Sequence, residues 1–438
     1  MPSDPLRGRA LLTTLFDAAV AGASPGPRTA AAVAGLGLAR SRPVHLLALG
    51  KAAPAMSVGA LAALRELDID VADGLVVASE EGESPHAALV RCRGDHPTPG
   101  ASSFIAARLL GEKAAPVGAD HTALVLLSGG ATSLVGAAVD GLDDADLARL
   151  FELLHRAGLD IHQMNVVRKR FARWGAGRLA VALSPANVHA LAISDVPGDD
   201  PADIASGPCV GDPSTAHDVC SVLAEARLLS DLPATLSNYL GAVLRGERSE
   251  TPKPGHPALA NVTMHIVGSN RLAVDSAIAR ARALSHDAER IATPLDGDAA
   301  QRGQEIATLL LDRAAGGRAG VIVWGGETTV RRRDEDGGRG GRCQELALAS
   351  AQRLAAAGDA ARGISLLAAG TDGRDGPTDA AGGFADATVW TSAARHGVDP
   401  ARALERHDSY AALDAAGALF RCGPTGTNVM DVVIGVIE

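Results

Sequence analysis

The sequence predicts an α/β protein from three observations. Short apolar runs alternate with helical stretches along all 438 residues, the pattern of strands and helices packed in layers. Several of those runs end in glycine and small polar residues, as strands do where loops gather at the carboxyl edge of a sheet. Apolar residues make up 47% of the chain but aromatics only 3%, so alanine, leucine and valine must do the packing.

Taken in order, residues 6–22 and 28–40 read as helices. Strands are expected at VHLLALG (44–50), GLVVAS (74–79), ALVLLS (123–128), VHALAIS (188–194), VTMHIVG (262–268), GVIVWG (320–325), ISLLAAG (364–370) and VVIGVI (432–437). Further helices are expected at 52–66, 101–113, 143–157, 271–285, 299–315 and 343–357. The chain is long enough for two or three domains. RGERSETPKPGHPALAN, 245–261, is rich in proline and charge and lacks apolar periodicity. It is the linker and hinge candidate, and it divides the chain into 1–245 and 246–438. A second loop, RRRDEDGGRGGRC (331–343), is too charged and glycine-rich for a core element, and long loops of this kind are often functional.

Composition excludes several classes. Acidic residues exceed basic ones by 51 to 41, a net charge of -10, which argues against a general nucleic-acid surface. The five cysteines (Cys92, Cys209, Cys220, Cys343, Cys422) are scattered without a C-x-x-C pair, as expected of reduced thiols in a cytoplasmic protein. The N-terminus does not read as a signal peptide. The longest uncharged stretch, TALVLLSGGATSLVGAAV, is broken by SGGATS and reads as strand, turn and helix, not a membrane span. Oligomerisation is left open, a homodimer included.

The chemistry sits in the strand-end loops. In HLLALGKAAPAM, Gly50 and Lys51 end an apolar run and enter a helix. A helix N-terminus is partially positive, so a lysine there is unfavourable unless an anion joins it. In LVLLSGGATSLV, Ser128, Gly129 and Gly130 end a strand, and Thr132 and Ser133 enter the next helix, an arrangement suited to phosphate; an ordinary strand-to-helix turn fits equally. Neither G-x-x-x-x-G-K-[ST] nor G-x-G-x-x-G is matched, and GLGLAR (35–40) precedes a strand instead of following one. Asp195, directly after a strand in ISDVPGDDPADIASGP, is the carboxylate best placed to act as a base; its neighbours Asp199, Asp200, Asp203 and Asp212 read as a solvated loop or as magnesium ligands. GGRGGRCQELAL delivers Arg342 to a helix start, where its fork suits carboxylate or phosphate. GTDGRDGPTDAAGG offers Asp372, Asp375 and Asp379 without calcium-loop spacing. RCGPTGTNVMD offers Thr425, Thr427 and Asn428 to substrate oxygens. His96, in GDHPTPG, reads as structural or peripheral.

Together ALGKAAPAM, GDHPTPG, LLSGGATSLV, NVVRKRFARWGAGRLA, ISDVPGDDPADIASGP, GSNRLAVDSA, WGGETTV, GRGGRCQELAL, GTDGRDGPTDAAGG and GPTGTNVMD resemble the class II glycerate 2-kinase family, whose C-terminal half is called MOFRL. Older usage labels many members hydroxypyruvate reductases. The resemblance implies ATP-dependent phosphorylation of the 2-hydroxyl of D-glycerate with Mg²⁺. It also implies a Rossmann-like N-terminal domain with a mostly parallel sheet, a smaller α/β C-terminal domain, and an active site in the cleft between them. Carried over to this chain, Lys51 and Arg342 are catalytic, with Asp195 at the attacking hydroxyl. The SGGATS residues and Gly325, Gly326, Glu327 and Thr328 would bind nucleotide or phosphate. Asn270, Thr425, Thr427 and Asn428 would bind substrate, and Asp372 the metal. Two departures bear on the acceptor: Gly175-Ala176-Gly177 stands where the family has Lys-Gly-Gly, and Ala131-Thr132 where it has glycine and serine. The rivals are an NAD(P)H-dependent hydroxypyruvate reductase, with Glu80-Glu81 as ribose acids, and a non-catalytic sugar-acid sensor.

Overall fold

The computed structural model describes residues 5–330 and 337–438; residues 331–336 of the charged 331–343 loop picked out above lie outside them. The chain forms two compact units. One is Pro25–Val267, and the other joins the N-terminal segment through Ser24 to Gly268–Glu438.

The first unit is built on six strands: β1 (Val44–Leu49), β2 (Val71–Ala78), β3 (Leu89–Arg93), β4 (Thr122–Leu127), β5 (Asn187–Ile193) and β6 (Val262–Gly268). They lie in the order β3-β2-β1-β4-β5-β6, and β3, β2, β1, β4 and β5 run parallel. Every residue of β1 and β4 is buried. Strands covered on both faces need no polar alternation, which is why these two read as unbroken apolar runs. The strand order is that of dinucleotide-binding folds, and it reverses between β1 and β4, where ligands bind beyond the carboxyl ends. A separate helical core is contributed by Asp144–Arg156, Ile161–Phe171, Ala216–Glu225 and Ala234–Leu244, packed through Leu150, Phe151, Val167, Phe171 and Leu236. Only the first of these four helices has a clear sequence signal.

The expected linker is not a loose hinge. Thr251 donates to the buried Asp212 at 2.9 Å, Glu250 pairs with Arg170 at 2.6 Å, and the Val188 amide donates to the Asn261 carbonyl at 2.9 Å. Its charge and polarity are spent on bonds to the first unit, so the division between units falls after Val267 instead of at 245/246.

The second unit has β7 (Ala288–Arg290), β8 (Gly320–Gly326), β9 (Ile364–Gly370), β10 (Gly382–Asp386), β11 (Leu419–Phe420) and β12 (Asp431–Ile437). Their order is β11-β10-β9-β12-β8-β7. β12 is antiparallel to both β8 and β9, with Asp431 in register with Gly326 and Gly370. The loop entering β12 therefore meets the loops leaving β8 and β9. The helix Pro5–Gly22 belongs here, not with the residues that follow it: Phe16 meets Phe420 edge-on at 5.0 Å, and Arg9 pairs with Asp386 at 3.3 Å.

In the first unit the helices Pro25–Ala34 and Ala53–Glu66 touch backbone to backbone. A Cβ on Gly59 would stand 2.0 Å from the Gly26 carbonyl oxygen. Gly59→Ala is expected to destabilise the protein by about 1–3 kcal/mol by forcing the helices apart, read as a lowered urea midpoint.

Candidate active site

In the first unit, the carboxyl ends of β1, β4 and β5 converge through close backbone contact. The Lys51 amide donates to the Gly129 carbonyl and the Ser128 amide to the Leu49 carbonyl, each at 3.0 Å. Gly50 has φ of 124°, and a Cβ there would lie 2.2 Å from Ser128 Oγ. A Cβ on Gly129 would lie 2.1 Å from Asp195 Oδ2. Only glycine at 129 lets the Asp195 carboxylate approach the chain this closely. Ser128 is buried, and its hydroxyl accepts from the Ala52 amide at 3.0 Å. Ser133 donates to the Pro97 carbonyl at 2.6 Å, and Thr132 shares a hydrogen bond with Ser206 at 2.9 Å. These hydroxyls shape the loop. The amides of Gly129, Gly130 and Thr132 donate to no protein acceptor among the described residues.

The helix expected after this loop is a single turn, Ala131–Leu134. So short a helix has little dipole, and any anion must be held by loop amides and side-chain charge. Lys51 supplies the charge. It is exposed, stands just ahead of the helix Ala53–Glu66, and its ammonium has no hydrogen-bond or ion-pair partner among the described residues. Burial raises the Asp195 pKa above the ordinary carboxylate value, and Lys51 pulls it partly back.

Two neighbours were missed or set aside in the sequence. A Cβ on Gly130 would lie 3.1 Å from the His96 ring and 3.4 Å from Lys51 Cε. His96 is pushed down to about 4, first by desolvation and then by Lys51, His155 and Arg168. Its loop follows β3, whose LVRCR sequence on the sheet edge carries little apolar signal. Arg168 lies on the helix Ile161–Phe171, which the sequence reading did not identify.

In the second unit, Arg342 begins the helix Arg342–Ala357, as expected. Its guanidinium forks onto the buried Asp431 at 2.5 and 2.9 Å and pairs with Glu327 at 2.8 Å. Burial works against its charge, but the Asp431 bonds outweigh that and raise its pKa. Asp372 is half-buried, its pKa raised by desolvation and by Asp431 and partly offset by the Arg374 amide and Arg342. Three carboxylates thus gather at one arginine, an arrangement better suited to a cation than to a bare anion. Among the described residues no group of three or more His, Cys, Asp or Glu is arranged to hold a metal unaided.

The remaining predicted ligands mostly hold loops. Asn270 donates to the Val429 and Asp431 carbonyls at 2.8 Å, and Gly325 makes room for its side chain. Gly326, with φ of 143°, lies against the Leu295 backbone. Thr425 donates to the Thr371 carbonyl at 2.5 Å and Thr427, buried, to the Ala23 carbonyl at 2.9 Å. Asn428 is exposed and accepts from the Met430 amide at 3.2 Å. Thr328 is buried, with a hydroxyl that meets no partner among the described residues.

A parallel sheet in this order, with glycine loops and a lysine at its switch point, defines a small-molecule-binding α/β protein. Comparison with known proteins narrows the class. Residues 11–241 match the family model described as a domain of unknown function (DUF4147), and 320–431 match the MOFRL family. D-glycerate 2-kinase of Thermotoga maritima is 37% identical over 90% of each chain, and glycerate 2-kinase of Pyrococcus horikoshii 33% identical over 90% of this chain and 87% of its own. An Agrobacterium vitis protein provisionally named a hydroxypyruvate reductase is 34% identical over 97% of this chain and 93% of its own. The crystal structure of a Thermotoga maritima glycerate kinase superposes with a TM-score of 0.88 at 33% identity, covering 99% of this chain and 100% of that one. The chain belongs to the glycerate 2-kinase family, with MOFRL as its C-terminal part.

Asp375 provides a pH test of the second unit. It is buried and accepts from the Gln344 amide at 2.8 Å and the Cys343 amide at 3.2 Å, pinning the start of the Arg342 helix. Burial first, opposed by the Gln344 amide and aided by Asp431, pushes its pKa up to about 6 from 3.8. A raised carboxylate stabilises the fold below its unfolded pKa and loses that contribution as pH rises through the folded value. The urea midpoint difference between wild type and Asp375→Asn is therefore expected to shift against the wild type between about pH 4 and pH 6, and to level off above.

Proposed function

We propose that the protein is an ATP-dependent glycerate 2-kinase, transferring the γ-phosphoryl group to the 2-hydroxyl of D-glycerate or a closely related hydroxy acid. The observation that carries this is the Lys51 ammonium, which acts on Asp195 and, like the neighbouring loop amides, has no protein partner among the described residues. Phosphoryl transfer asks mainly for positioning and for neutralisation of charge on the moving group. Lys51 and the amides of Gly129, Gly130 and Thr132 meet that demand. Asp195, held by burial at a raised pKa, is a stronger base than a solvated aspartate and takes the proton of the attacking hydroxyl.

The acidic group in the second unit suits Mg²⁺, which needs only one or two carboxylates when phosphate and water complete its shell. Asp372 is the residue we assign to it, with Asp431 fixing Arg342 alongside. When bound, Mg²⁺ neutralises charge on the nucleotide phosphates.

One observation favours the reductase reading: the strand order is shared with dinucleotide-binding folds. Against it, the turn after β1 is Gly-Lys-Ala-Ala-Pro, whose Ala52 stands where the fingerprint places its second glycine. Lys51→Ala is expected to lower ATP-dependent glycerate phosphorylation about 100-fold or more, measured by coupled ADP release with NMR of the product. Near-wild-type turnover in that variant overturns the assignment. Oxidation of NADH by hydroxypyruvate, in place of ADP release from glycerate, overturns the reaction class.

A further inference from the structure

The segment Asn165–Arg178 carries a run of cations, and nearly all are accounted for within the protein. Lys169 pairs with Asp203 at 3.1 Å, Arg170 with Glu250 at 2.6 Å and Arg173 with Asp140 at 2.6 Å. Arg178 donates to the Lys169, Arg170 and Ala172 carbonyls. Arg168 is different. It is only 6% exposed, yet no carboxylate among the described residues pairs with it. Its Nη2 donates to His155 Nε2 at 2.9 Å, its guanidinium lies 4.5 Å from the Phe151 ring centre, and its Nε is buried without an acceptor. An accepting His155 nitrogen keeps that ring neutral and supplies no compensating charge.

A buried cation without a counter-charge is costly, and proteins normally pair it. Its surroundings show what could compensate it. Asn165, one turn before Arg168 on the same helix, accepts from Ser206 at 3.0 Å, and Ser206 shares a hydrogen bond with Thr132 of the loop after β4; His96, which feels the charge of both Arg168 and Lys51, has its ring against Gly130 of that loop. Two permanent cations thus flank the same loop, one exposed and compact, the other buried and forked. A lysine ammonium suits a phosphoryl oxygen as a point charge, while a planar guanidinium matches a carboxylate with two parallel bonds.

We propose that Arg168 recognises the carboxylate of the acceptor and restricts the site to small 2-hydroxy carboxylates. This rests on the kinase reading for the identity of the acceptor. The hydroxyl on the neighbouring carbon is thereby oriented toward Asp195 and Lys51. The uncharged His96 adds a hydrogen bond without competing for the anion.

The test measures binding of D-glycerate and of its neutral amide, glyceramide, by calorimetry in the absence of nucleotide, and then KM for glycerate and for ATP. Arg168→Gln is expected to weaken glycerate binding ~10- to 100-fold, to leave glyceramide binding unchanged, and to raise KM for glycerate but not for ATP. Arg168→Lys keeps the charge without the fork and is expected to fall between; it also decides the matter if the glutamine variant does not fold. Unchanged glycerate binding in whichever variant folds, or a rise confined to KM for ATP, overturns the proposal, the latter placing Arg168 at a nucleotide phosphate. Absence of saturable glycerate binding to the wild type overturns it as well. A wild type that binds glycerate through Arg168 but releases no ADP supports this inference and refutes the kinase reading alone.

Discussion

The first unit's site depends on how closely three strand ends can approach one another. Gly50 lies where any side chain would strike Ser128, and Gly129 lies where any side chain would strike Asp195. These two positions let the ends of β1, β4 and β5 close up until a lysine and a half-buried carboxylate share a few ångströms of loop. The Lys51 and Ser128 amide bonds lock the arrangement. Burial sets the protonation of Asp195, and proximity to Lys51 limits how far that goes. Sheet topology, backbone sterics and acid–base chemistry are thus one linked problem at this switch point.

The two units have opposite electrical character at their loop clusters. In the first, Lys51 acts on the raised carboxylate of Asp195, and Lys51 and Arg168 both act on the His96 imidazole. In the second, Asp431, Glu327 and Asp372 surround Arg342, and the pKa of Asp372 rises partly because of Asp431. An excess of fixed positive charge attracts an anion, and an excess of carboxylate attracts a cation.

Much of this was legible from residue order. Strands β1, β2, β4, β5, β6, β8, β9 and β12 coincide with apolar runs, and Lys51, Asp195 and Arg342 stand at strand or helix ends as read. What was not legible has physical causes. β10, GGFAD, looks like a turn because glycines there allow tight packing: a Cβ on Gly382 would lie 1.8 Å from the Ala368 carbonyl oxygen. The helix Ile161–Phe171 is dominated by polar residues that become buried only through partners distant in sequence, as Lys169 does with Asp203. Arg168 could be seen as one cation among several, but that it alone in this run meets neither a carboxylate nor a carbonyl among the described residues is a tertiary fact. The segment 245–261 misled for the opposite reason: residues that look solvated are bonded to the first unit.

The placement of the helix Pro5–Gly22 bears on how the molecule is made. Leu12, Leu15 and Phe16 are 0–1% exposed in the finished fold, covered by elements such as Asn270–Ala283 and Phe420. Synthesis runs from the N-terminus, and domains tend to fold as they emerge. Residues 25–267 can complete their sheet while this helix, already outside the ribosome, still waits for a surface that has not been translated. Leu12, Leu15 and Phe16 therefore gain their native cover only after more than half of the chain has been made.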